Sequence, residues 1–293
     1  MRDPHDPPPT LRLLSLGAGV QSSTLLLLAA QGAIPRFDYA LFADTGWEPA
    51  RVYRHLERLE HIAADAGISL LRVSTGNIRR DALDERHRFA SMPLFVLGPQ
   101  GQRGMARRQC TSEYKIKPLK KEARRLLGYP HPARVPTGVY ATQAIGISLD
   151  EVHRAKDADV KNLRNEFPLL DLGWTRRDCR SHLTAHGLGD TPRSACIGCP
   201  YRSTASWAEM AATEPAAFED AVAFDAAIRH GHPAATRSGM PLHGTYYLHV
   251  SRKPLDQVDL TAPSGPEPEG CSPWSCRADA APAAAAAEGS ETQ

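Results

Sequence analysis

The sequence predicts an α/β protein with a doubly wound, mostly parallel five-stranded sheet, followed by a C-terminal helical region that bears cysteines. Apolar runs over residues 11–16, 39–43 and 69–73 alternate with segments of helical periodicity. Strands that alternate with helices at this spacing form βαβ crossovers, and hence a sheet with helices on both faces. A glycine-rich turn follows the first run and an Asp-Thr-Gly turn follows the second, at the strand ends where such sheets bind ligands.

Each element of the first half follows from its local pattern. Continuous apolar runs predict buried parallel strands, and Pro49 fits the first turn of a helix because its fixed φ suits that position. The pattern predicts strand, helix, strand, helix and strand, in that order, over residues 11–16, 22–31, 39–43, 49–66 and 69–73.

The second half predicts more helix than strand. Residues 98–102 have the glycine and proline content of an exposed loop, residues 142–147 are small and apolar, and residues 243–249 fit an edge strand. Helices are predicted over residues 118–127, 149–155, 175–186, 206–212 and 215–229.

The composition and charge of the chain limit the class of protein to which it can belong and indicate where its domains begin and end. The 293 residues carry a net charge of only +2, so affinity for nucleic acid would have to come from a local patch. No apolar stretch approaches the ~20 residues of a membrane helix, and residues 1–10 lack the apolar segment of a secretory signal. We expect a cytoplasmic protein with no membrane partner: a disordered leader (1–10), a nucleotide-binding domain with the cysteine-bearing region (11–260) and a disordered tail (261–293).

The first glycine-rich turn predicts a phosphate-binding loop. Glycines at 17 and 19 let the backbone turn tightly and approach a phosphate, and the helix that follows directs its free N–H groups at an anion. The segment is neither the lysine-containing P-loop nor the GxGxxG fingerprint, and structural packing is an equally good explanation of the glycines. The candidate nucleotide-binding residues are Ser15, Gly17, Ala18, Gly19, Gln21, Ser22 and Ser23.

Three of the six cysteines predict a metal or redox site. Cys196 and Cys199 form a CxxC closed by a proline, and Cys110 lies in a basic segment whose cations favour thiolates. The candidate metal ligands Cys110, Cys196 and Cys199 suit an iron–sulfur cluster. Zinc with His182 or His186 as a further donor, and a redox dithiol at 196 and 199, remain alternatives. We expect Cys179 to be a structural thiol, whereas Cys271 and Cys276 fall in the predicted tail.

Four motifs, in order, resemble the adenine-nucleotide α-hydrolase superfamily, which includes N-type ATP pyrophosphatases and phosphoadenosine phosphosulfate (PAPS) reductases. Residues 17–22 resemble its Ser-Gly-Gly-x-Asp-Ser pyrophosphate (PP) loop, and residues 42–48 resemble the Asp-Thr-Gly motif of the PAPS reductase branch. Residues 146–154 are similar to its Gly-Ile-Arg-x-x-Glu-Ser-x-x-Arg segment, and residues 167–176 to its Pro-Leu-x-x-Trp-Thr region. The matches extend from about residue 11 to residue 203.

The resemblance implies a Rossmann-like fold of the HUP type and a site for ATP, or for adenylyl sulfate or PAPS, with Mg²⁺. It adds Asp44, Thr45, Gly46 and Gly146 to the nucleotide-binding residues, and it implies catalytic roles for Asp44 and Arg154. The chain departs from the family pattern at two positions, because Gln21 replaces an acidic residue and Ser148 replaces an arginine. A serine lacks the charge and bidentate geometry of arginine, which argues against a sulfated nucleotide.

The resemblance also implies a [4Fe–4S] cluster. Assimilatory adenylylsulfate reductases hold one with a Cys-Cys pair before a Lys-x-x-Pro-Leu segment and with a later CxxC. Here Gln109 and Cys110 replace the pair and Lys115 to Leu119 supply the segment, so one of the four ligands is missing. Either the fourth iron is open to sulfide or substrate, or another residue supplies its bond. Residues 269–273 do not match the terminal Glu-Cys-Gly motif of the reductases.

These observations predict iron–sulfur-dependent, ATP-dependent adenylation and thiolation of a nucleic acid or a small molecule. Reduction of adenylyl sulfate or PAPS to sulfite is one alternative, and a non-catalytic nucleotide- or redox-sensing module is another. The expected partners are an adenine nucleotide, a tRNA or DNA acceptor and a sulfur-donor protein. Residues 103–125 are rich in basic side chains, which indicates either a surface for a phosphate-rich partner or a solvated helix face. The basic residues are Arg103, Arg107, Arg108, Lys115, Lys117, Lys120, Lys121, Arg124 and Arg125.

Overall fold

The computed structural model describes residues 7–87, 92–232 and 244–262. Within these ranges the strands are β1 (Leu11–Leu16), β2 (Tyr39–Asp44), β3 (Ser69–Ser74), β4 (Phe95–Leu97), β5 (Arg103–Met105), β6 (Ala141–Ile145), β7 (Leu163–Glu166) and β8 (Thr245–Tyr247). The α-helices are α1 (Val20–Ala30), α2 (Ala50–Asp65), α3 (Ile78–Leu83), α4 (Lys117–Leu126), α5 (Pro168–Asp171), α6 (Arg176–Ala185), α7 (Thr204–Thr213) and α8 (Pro215–Ala227).

The main sheet confirms the predicted fold class. Its five strands run parallel in the order β3-β2-β1-β6-β7. The chain builds outward from β1 to β3 and then returns to place β6 on the other side of β1. The carboxyl ends of β1, β2 and β6 therefore lie side by side at a topological switch point, which is where open α/β sheets form ligand-binding crevices.

Successive side chains of β1 and β2 point to opposite faces of this sheet, so the hydrophobic core has two parts, one on each face. On β1, Leu14 and Leu16 pack in a cluster with α1, α2 and α6, whereas Leu13 packs in another with α4. On β2, Phe42 belongs to the first cluster and Leu41 to the second. Because successive side chains of a strand point to opposite faces, the apolar runs of both strands serve two layers of helix.

A second, three-stranded antiparallel sheet was not predicted in full. Its order is β5-β4-β8, and β4 and β5 are joined through residues 98–102, where Gly98 N donates to Gln102 O at 2.8 Å. The predicted loop is therefore the turn of a hairpin. Strand β8 confirms the edge strand expected near Tyr246 and Tyr247. This sheet packs with α3, α7 and α8 around the buried rings of Trp47, Trp207 and Phe224.

Most predicted helices are present, with shifted ends. Helix α1 begins at Val20 rather than at 22, and residues 149–155 form a 3₁₀ turn over Leu149–Arg154 instead of an α-helix, with Glu151 outside helical φ and ψ. Helix α6 begins with a capping box in which Thr175 and Asp178 bond reciprocally. A π-helical turn over Ser112–Ile116 precedes α4, and a 3₁₀ turn spans Leu255–Gln257.

The predicted termini fall largely outside the described residues. Residues 1–6 of the expected leader lie outside them, as do residues 263–293 of the expected tail with Cys271 and Cys276. Residues 7–10 contact the domain, because Thr10 N donates to Tyr140 O at 2.9 Å and Tyr140 Oη donates to Pro7 O at 2.7 Å. Within the described ranges, none of the helices combines the length and apolarity that crossing a bilayer requires.

Candidate nucleotide and thiol site

The predicted phosphate loop lies at the carboxyl end of β1, directly before α1. Ser22 closes the turn, because its Oγ accepts from Gly17 N at 3.1 Å and from Gly19 N at 3.4 Å. Ala18 adopts a left-handed φ of 52°, which costs backbone energy in a residue other than glycine and is typical of functional turns. The loop is thus a tight, preorganised turn whose helix N-terminus points out of the sheet end.

The two loop glycines are also where another segment approaches. A Cβ on Gly17 would lie 3.1 Å from Ser194 Oγ, and a Cβ on Gly19 would lie 2.9 Å from Ser194 Cβ. Ser194 comes two residues before Cys196. The glycines therefore allow close packing of the chain that leads into the CxxC, and Ser194 is a loop neighbour that the sequence did not predict.

The remaining serines of the candidate loop are buried. Ser23 Oγ and His55 Nε2 are hydrogen-bonded at 2.9 Å in the interior between α1 and α2. Burial lowers the pKa of His55 to about 4, and the charge of Arg58 contributes to this shift, so the imidazole is neutral at physiological pH. The hydroxyl of Ser15 is buried and meets no hydrogen-bond partner among the described residues.

Gln21 and Ser148, the two residues that depart from the family motifs, contact one another. Gln21 Nε2 donates to Ser148 Oγ at 3.4 Å and to Glu151 Oε1 at 3.1 Å. Arg154 Nη1 lies 3.0 Å from Glu151 Oε2, and both side chains are buried. Gln21 and Ser148 therefore share a buried polar network, where the family motifs would place an acid and an arginine. Arg154 is paired with Glu151 in the same network.

Gly146 brings the end of β6 against the start of α1. A Cβ at this position would lie 2.8 Å from Ser22 N and 2.9 Å from Gln21 Cβ. Any larger residue would push β6 away from the loop, because backbone and Cβ atoms cannot yield as a flexible side chain can. The predicted binding residue Gly146 therefore has a packing role beside the loop.

The Asp-Thr-Gly turn lies at the end of β2, next to the loop because β1 and β2 are paired. Asp44 Oδ1 accepts from Gly46 N and from Tyr53 Oη, both at 2.8 Å. Asp44 Oδ2 makes no hydrogen bond with the described residues, so it fits the oxygen ligand that a magnesium–nucleotide complex would need. Burial and the hydrogen bond to Asp44 raise the pKa of Tyr53, so the phenol stays protonated as the donor.

The three predicted thiol ligands converge. Cys110, Cys196 and Cys199, which come from segments far apart in sequence, line one cavity of about 30 Å³ together with Thr45 of the Asp-Thr-Gly turn. Thr45 Oγ1 lies 3.2 Å from Cys196 Sγ. The cavity therefore adjoins the turn that the sequence assigned to the nucleotide, and the predicted nucleotide and metal residues form one continuous region.

The CxxC loop is held from both sides. Ile197 N donates to Trp47 O at 2.8 Å, and Gly198 sits on the Trp47 ring so closely that a Cβ would lie 2.1 Å from it. On the other side Arg202 donates from Nη2 to the carbonyls of Ala195 and Cys196, both at 3.0 Å. A further bond runs from Arg202 Nε to Ile197 O at 3.1 Å. The thiols are thus presented on a rigid loop.

Arg202 places a buried positive charge behind the thiols. Its side chain is 4% exposed, and no carboxylate of the described residues makes an ion pair with it. Burial lowers the pKa of Arg202, and the negative charge that Cys199 can carry opposes this. A buried cation without a carboxylate is stabilised by an anion in its surroundings, and the thiols of the CxxC are the groups beside it that can become anionic.

A buried acid and a buried base face Cys196. Cys196 Sγ donates to Glu48 Oε1 at 3.4 Å, Thr45 Oγ1 donates to the same oxygen at 3.0 Å, and Lys115 Nζ lies 4.0 Å from it. Burial raises the pKa of the Cys196 thiol well above its usual value, and Glu48 raises it further, whereas Lys115 lowers it. Without a bound cation, therefore, Cys196 is protonated.

The π-helical turn explains why a lysine enters this interior. Tyr114 and Lys115 are consecutive and both are buried, and Tyr114 Oη donates to Asp81 Oδ2 at 3.0 Å. A widened turn of this kind is rare and recurs at functional sites. It leaves Cys110 and Lys115 lining the same cavity.

The described residues do not form a ready-made site for a single metal ion. Among the described residues, no three cysteine, histidine, aspartate or glutamate side chains are placed to hold a single metal ion. A single zinc needs all of its ligands about 2.0–2.3 Å from one point, whereas a four-iron cluster offers each thiolate an iron of its own. The three cysteines line one cavity, with Arg108 and Lys115 also in its lining, and the cluster stays a prediction from the cysteine motifs.

The other cysteine and histidine candidates lie elsewhere. The tilted rings of His182, on α6, and His186, just after it, have centroids 4.4 Å apart, and neither residue lines the thiol cavity. Cys179 is buried in the core between α1 and α6, where burial raises the pKa of its thiol to about 12. Its surroundings are those of the structural thiol that the sequence predicted.

The basic stretch is largely engaged within the molecule. Arg108 and Lys115 line the thiol cavity. On α4 and the turn before it, Lys117 pairs with Glu113, Lys120 with Asp159 and Arg125 with Glu122, and Arg124 donates to backbone carbonyls. These contacts favour the interpretation as a solvated helix face over a nucleic-acid surface, and the nucleic-acid partner stays a prediction.

A scan of the chain against protein-family models and a search of curated proteins each found no match. The superfamily membership and the cofactors therefore stay predictions from the motifs. The site residues that the sequence did not predict are His55, Ser194, Arg202 and the carboxylate Glu48. Glu48 follows the Asp-Thr-Gly motif, and Ser194 and Arg202 flank the CxxC, but no spacing rule marks any of these residues in the sequence.

Proposed function

We propose that this protein activates an acceptor with ATP and replaces an acceptor oxygen by sulfur. The observation that carries the proposal is the contact between Thr45 of the Asp-Thr-Gly turn and Cys196 of the thiol cavity, whose Oγ1 and Sγ atoms are 3.2 Å apart. A second link is Ser194, which lies on the glycines of the phosphate loop and leads into the CxxC. Both contacts support a nucleotide and sulfur chemistry next to each other.

Each part of the region has a role in this proposal. The turn at Gly17–Gly19 and the N-terminus of α1 would receive the ATP phosphates, and Asp44 Oδ2 would hold the magnesium that accompanies them. The acceptor oxygen attacks the α-phosphorus and pyrophosphate leaves. Hydrosulfide then attacks the activated carbon, and AMP leaves with the former acceptor oxygen, so that the sulfur replaces one oxygen and no net oxidation occurs.

Cys110, Cys196 and Cys199 would hold an iron–sulfur cluster, which when bound would supply a binding site for the incoming sulfur. The chain's own contribution is to exclude water from the cavity, to fix the CxxC through Arg202 and to offset anionic charge with Arg202 and Lys115. Preorganised donors of this kind are also what stabilises charge that develops during acyl or phosphoryl transfer.

The test uses protein purified without oxygen and reconstituted with iron and sulfide. It is incubated with ATP, Mg²⁺ and sulfide, and with tRNA, DNA or small heterocycles as acceptors. We expect AMP and pyrophosphate release that depends on the acceptor, with a thiolated product by mass spectrometry. Asp44→Asn should reduce this release roughly tenfold or more, whereas Asp65→Asn, on the exposed end of α2, should not.

Other outcomes would favour the alternatives. Sulfite released from adenylyl sulfate or PAPS with thioredoxin would make the protein a reductase and overturn the proposal. ATP binding without turnover for any acceptor would favour a sensing module. For the thiols, Cys110→Ala, Cys196→Ala and Cys199→Ala should each lose the visible chromophore, whereas the matched control Cys179→Ala should retain it.

A further inference from the structure

A wide polar groove runs along the β7 edge of the main sheet. It has a volume of about 1020 Å³ and is lined by residues from the segments 131–140 and 157–162, which lead into β6 and β7. All four residues of β7, Leu163–Glu166, also line it, and β7 is the outermost strand on its side of the sheet. None of the lining residues belongs to the phosphate loop or to the thiol cavity. The groove is therefore a surface for which the nucleotide and thiol site does not account.

Positive charge predominates along this groove. Its lining contains four cationic side chains and two carboxylates, namely Arg124, Arg134, Lys161 and Arg164 against Asp157 and Glu166. Glu166 is also shared with a cation outside the lining, because its Oε2 lies 3.6 Å from Arg12 Nη2. The groove thus has an excess of two cations, which equals the net charge of +2 on the whole chain. Such a concentration is the local patch that a polyanion needs when the field of the whole molecule is weak.

Two of these cations are held in place and two are unpaired. The Arg164 guanidinium lies 3.9 Å from the centroid of the Tyr140 ring, and Arg124 Nε donates to a backbone carbonyl at 3.2 Å. Arg134 and Lys161 are exposed, and their side chains make no hydrogen bond or ion pair with the described residues. A phosphate can therefore pair with either exposed cation without breaking an internal contact, whereas the two held arginines offer it fixed positions.

The neutral side chains of the groove favour RNA among the polyanions. Thr142 Oγ1 and Asn165 Oδ1 are shielded from water and meet no hydrogen-bond partner among the described residues. Asn165 Nδ2 donates to Lys156 O at 2.8 Å, so the unpaired atom of this amide is an acceptor. A phosphodiester has no hydrogen to donate to an acceptor, whereas a ribose 2′-hydroxyl has one. Thr137 and Asn162 add two more neutral polar groups to the lining.

We propose that this groove binds RNA, with phosphates on its four cations and 2′-hydroxyl groups on its neutral side chains. The inference rests on the proposed function in one respect, because it makes RNA the acceptor that the nucleotide and thiol site would modify. The register of the sheet supports this link. Glu166, the last residue of β7, pairs with Ala144, and Gly146, which lies against the phosphate loop, follows two residues later. Because β7 itself spans only about 13 Å at about 3.3 Å per residue, an RNA in the groove is long enough to reach the phosphate loop.

RNA binding is tested first without ATP, so that it is measured apart from the chemistry. The probe is a synthetic RNA hairpin with a fluorescent label, and the DNA hairpin of the same sequence is its counterpart. We expect the RNA to bind at least roughly threefold more tightly than the DNA, with an affinity that falls as salt is raised. The double variant Arg134→Ala/Lys161→Ala should weaken RNA binding roughly tenfold and reduce the slope of log affinity against log salt by about 1.5.

Matched controls separate the groove from a general loss of positive charge. The double variant Arg54→Ala/Lys253→Ala removes one arginine and one lysine at exposed positions that do not line the groove, and it should bind RNA as the unaltered protein does. Thr142→Val removes a hydroxyl from a buried side chain and leaves the charges in place. It should reduce the preference for RNA over DNA without changing the salt slope.

The outcomes separate the groove from the proposed function. Equal RNA affinity of the two double variants, equal affinity for RNA and DNA, or equally strong competition by polyglutamate would each overturn the assignment. A protein that thiolates a small molecule but binds no RNA would overturn the assignment and leave the proposed function. Groove-dependent RNA binding without a thiolated product would leave the assignment and contradict only the function.

Discussion

Gly198→Ala tests whether the CxxC depends on its contact with Trp47. The added Cβ would lie 2.1 Å from Trp47 Cη2, roughly 1.4 Å inside the ~3.5 Å at which carbon contacts become favourable. The ring is not free to retreat, because its Nε1 donates to Asp220 Oδ2 at 2.6 Å and its face packs on Phe224 with centroids 4.7 Å apart. Overpacking of this kind typically costs about 1–3 kcal/mol, and the short distance places Gly198→Ala at the upper end.

Denaturant unfolding measures this cost, and iron content after reconstitution measures its effect on the thiols. Gly104→Ala is the matched control, because a Cβ there would meet nothing closer than Val96 Cβ at 4.0 Å, and it should change the free energy of unfolding by less than about 0.5 kcal/mol. Neither glycine has a left-handed φ, so the comparison isolates the steric term. Equal unfolding midpoints for the two variants would refute the reasoning.

Substitutions at three further positions test the interior of the site. Burial lowers the pKa of His55 to about 4, so as the pH falls the unfolded state takes up a proton on this imidazole before the folded state does. The free energy of unfolding should therefore fall by about 3 kcal/mol between pH 6.5 and pH 4. His55→Gln should flatten that part of the curve of unfolding free energy against pH. Gln21→Glu places a second carboxylate beside Glu151 in the buried network and should destabilise by about 1–3 kcal/mol at neutral pH and by less near pH 4, as thermal unfolding at the two values would show. Arg202→Met removes the clamp on three carbonyls and should cost about 3 kcal/mol, with loss of iron, whereas Arg202→Lys should keep more of the iron because it keeps the charge.

Three of the five strands of the main sheet could be located because each carries its own apolar signal, whereas β7, with the sequence Leu-Arg-Asn-Glu, carries none. Continuous apolar runs at Leu11–Leu16 and Tyr39–Asp44, separated by a helical segment, are enough to predict parallel strands buried on both faces. The small antiparallel sheet was not predicted in full, because β4, β5 and β8 have three residues each and β8 is distant in sequence from its partner β4. Strands this short carry too few residues for a periodic pattern to emerge.

The three cysteines of the thiol cavity could be predicted from the sequence, whereas the residues that surround them could not. Cys110, Cys196 and Cys199 stand out in sequence because cysteine is rare and a CxxC spacing is recognisable. Arg202 and Ser194 do not, since an arginine that bonds carbonyls and a serine that packs on two glycines belong to common residue types with no characteristic spacing. The role of Ser194 follows from the approach of a distant segment to Gly17 and Gly19, and that of Arg202 from the folding of its own segment back on the carbonyls of residues 195–197.

The charges around the thiols argue for an anionic occupant. Arg202 and Lys115 are both buried, Arg202 bonds the carbonyls of the CxxC segment, and Lys115 lines the cavity with the three thiols. Buried cations are costly unless negative charge lies near them. An anionic, thiolate-bound cluster in this position would bring the buried region closer to neutral, which is the state that a low-dielectric interior favours.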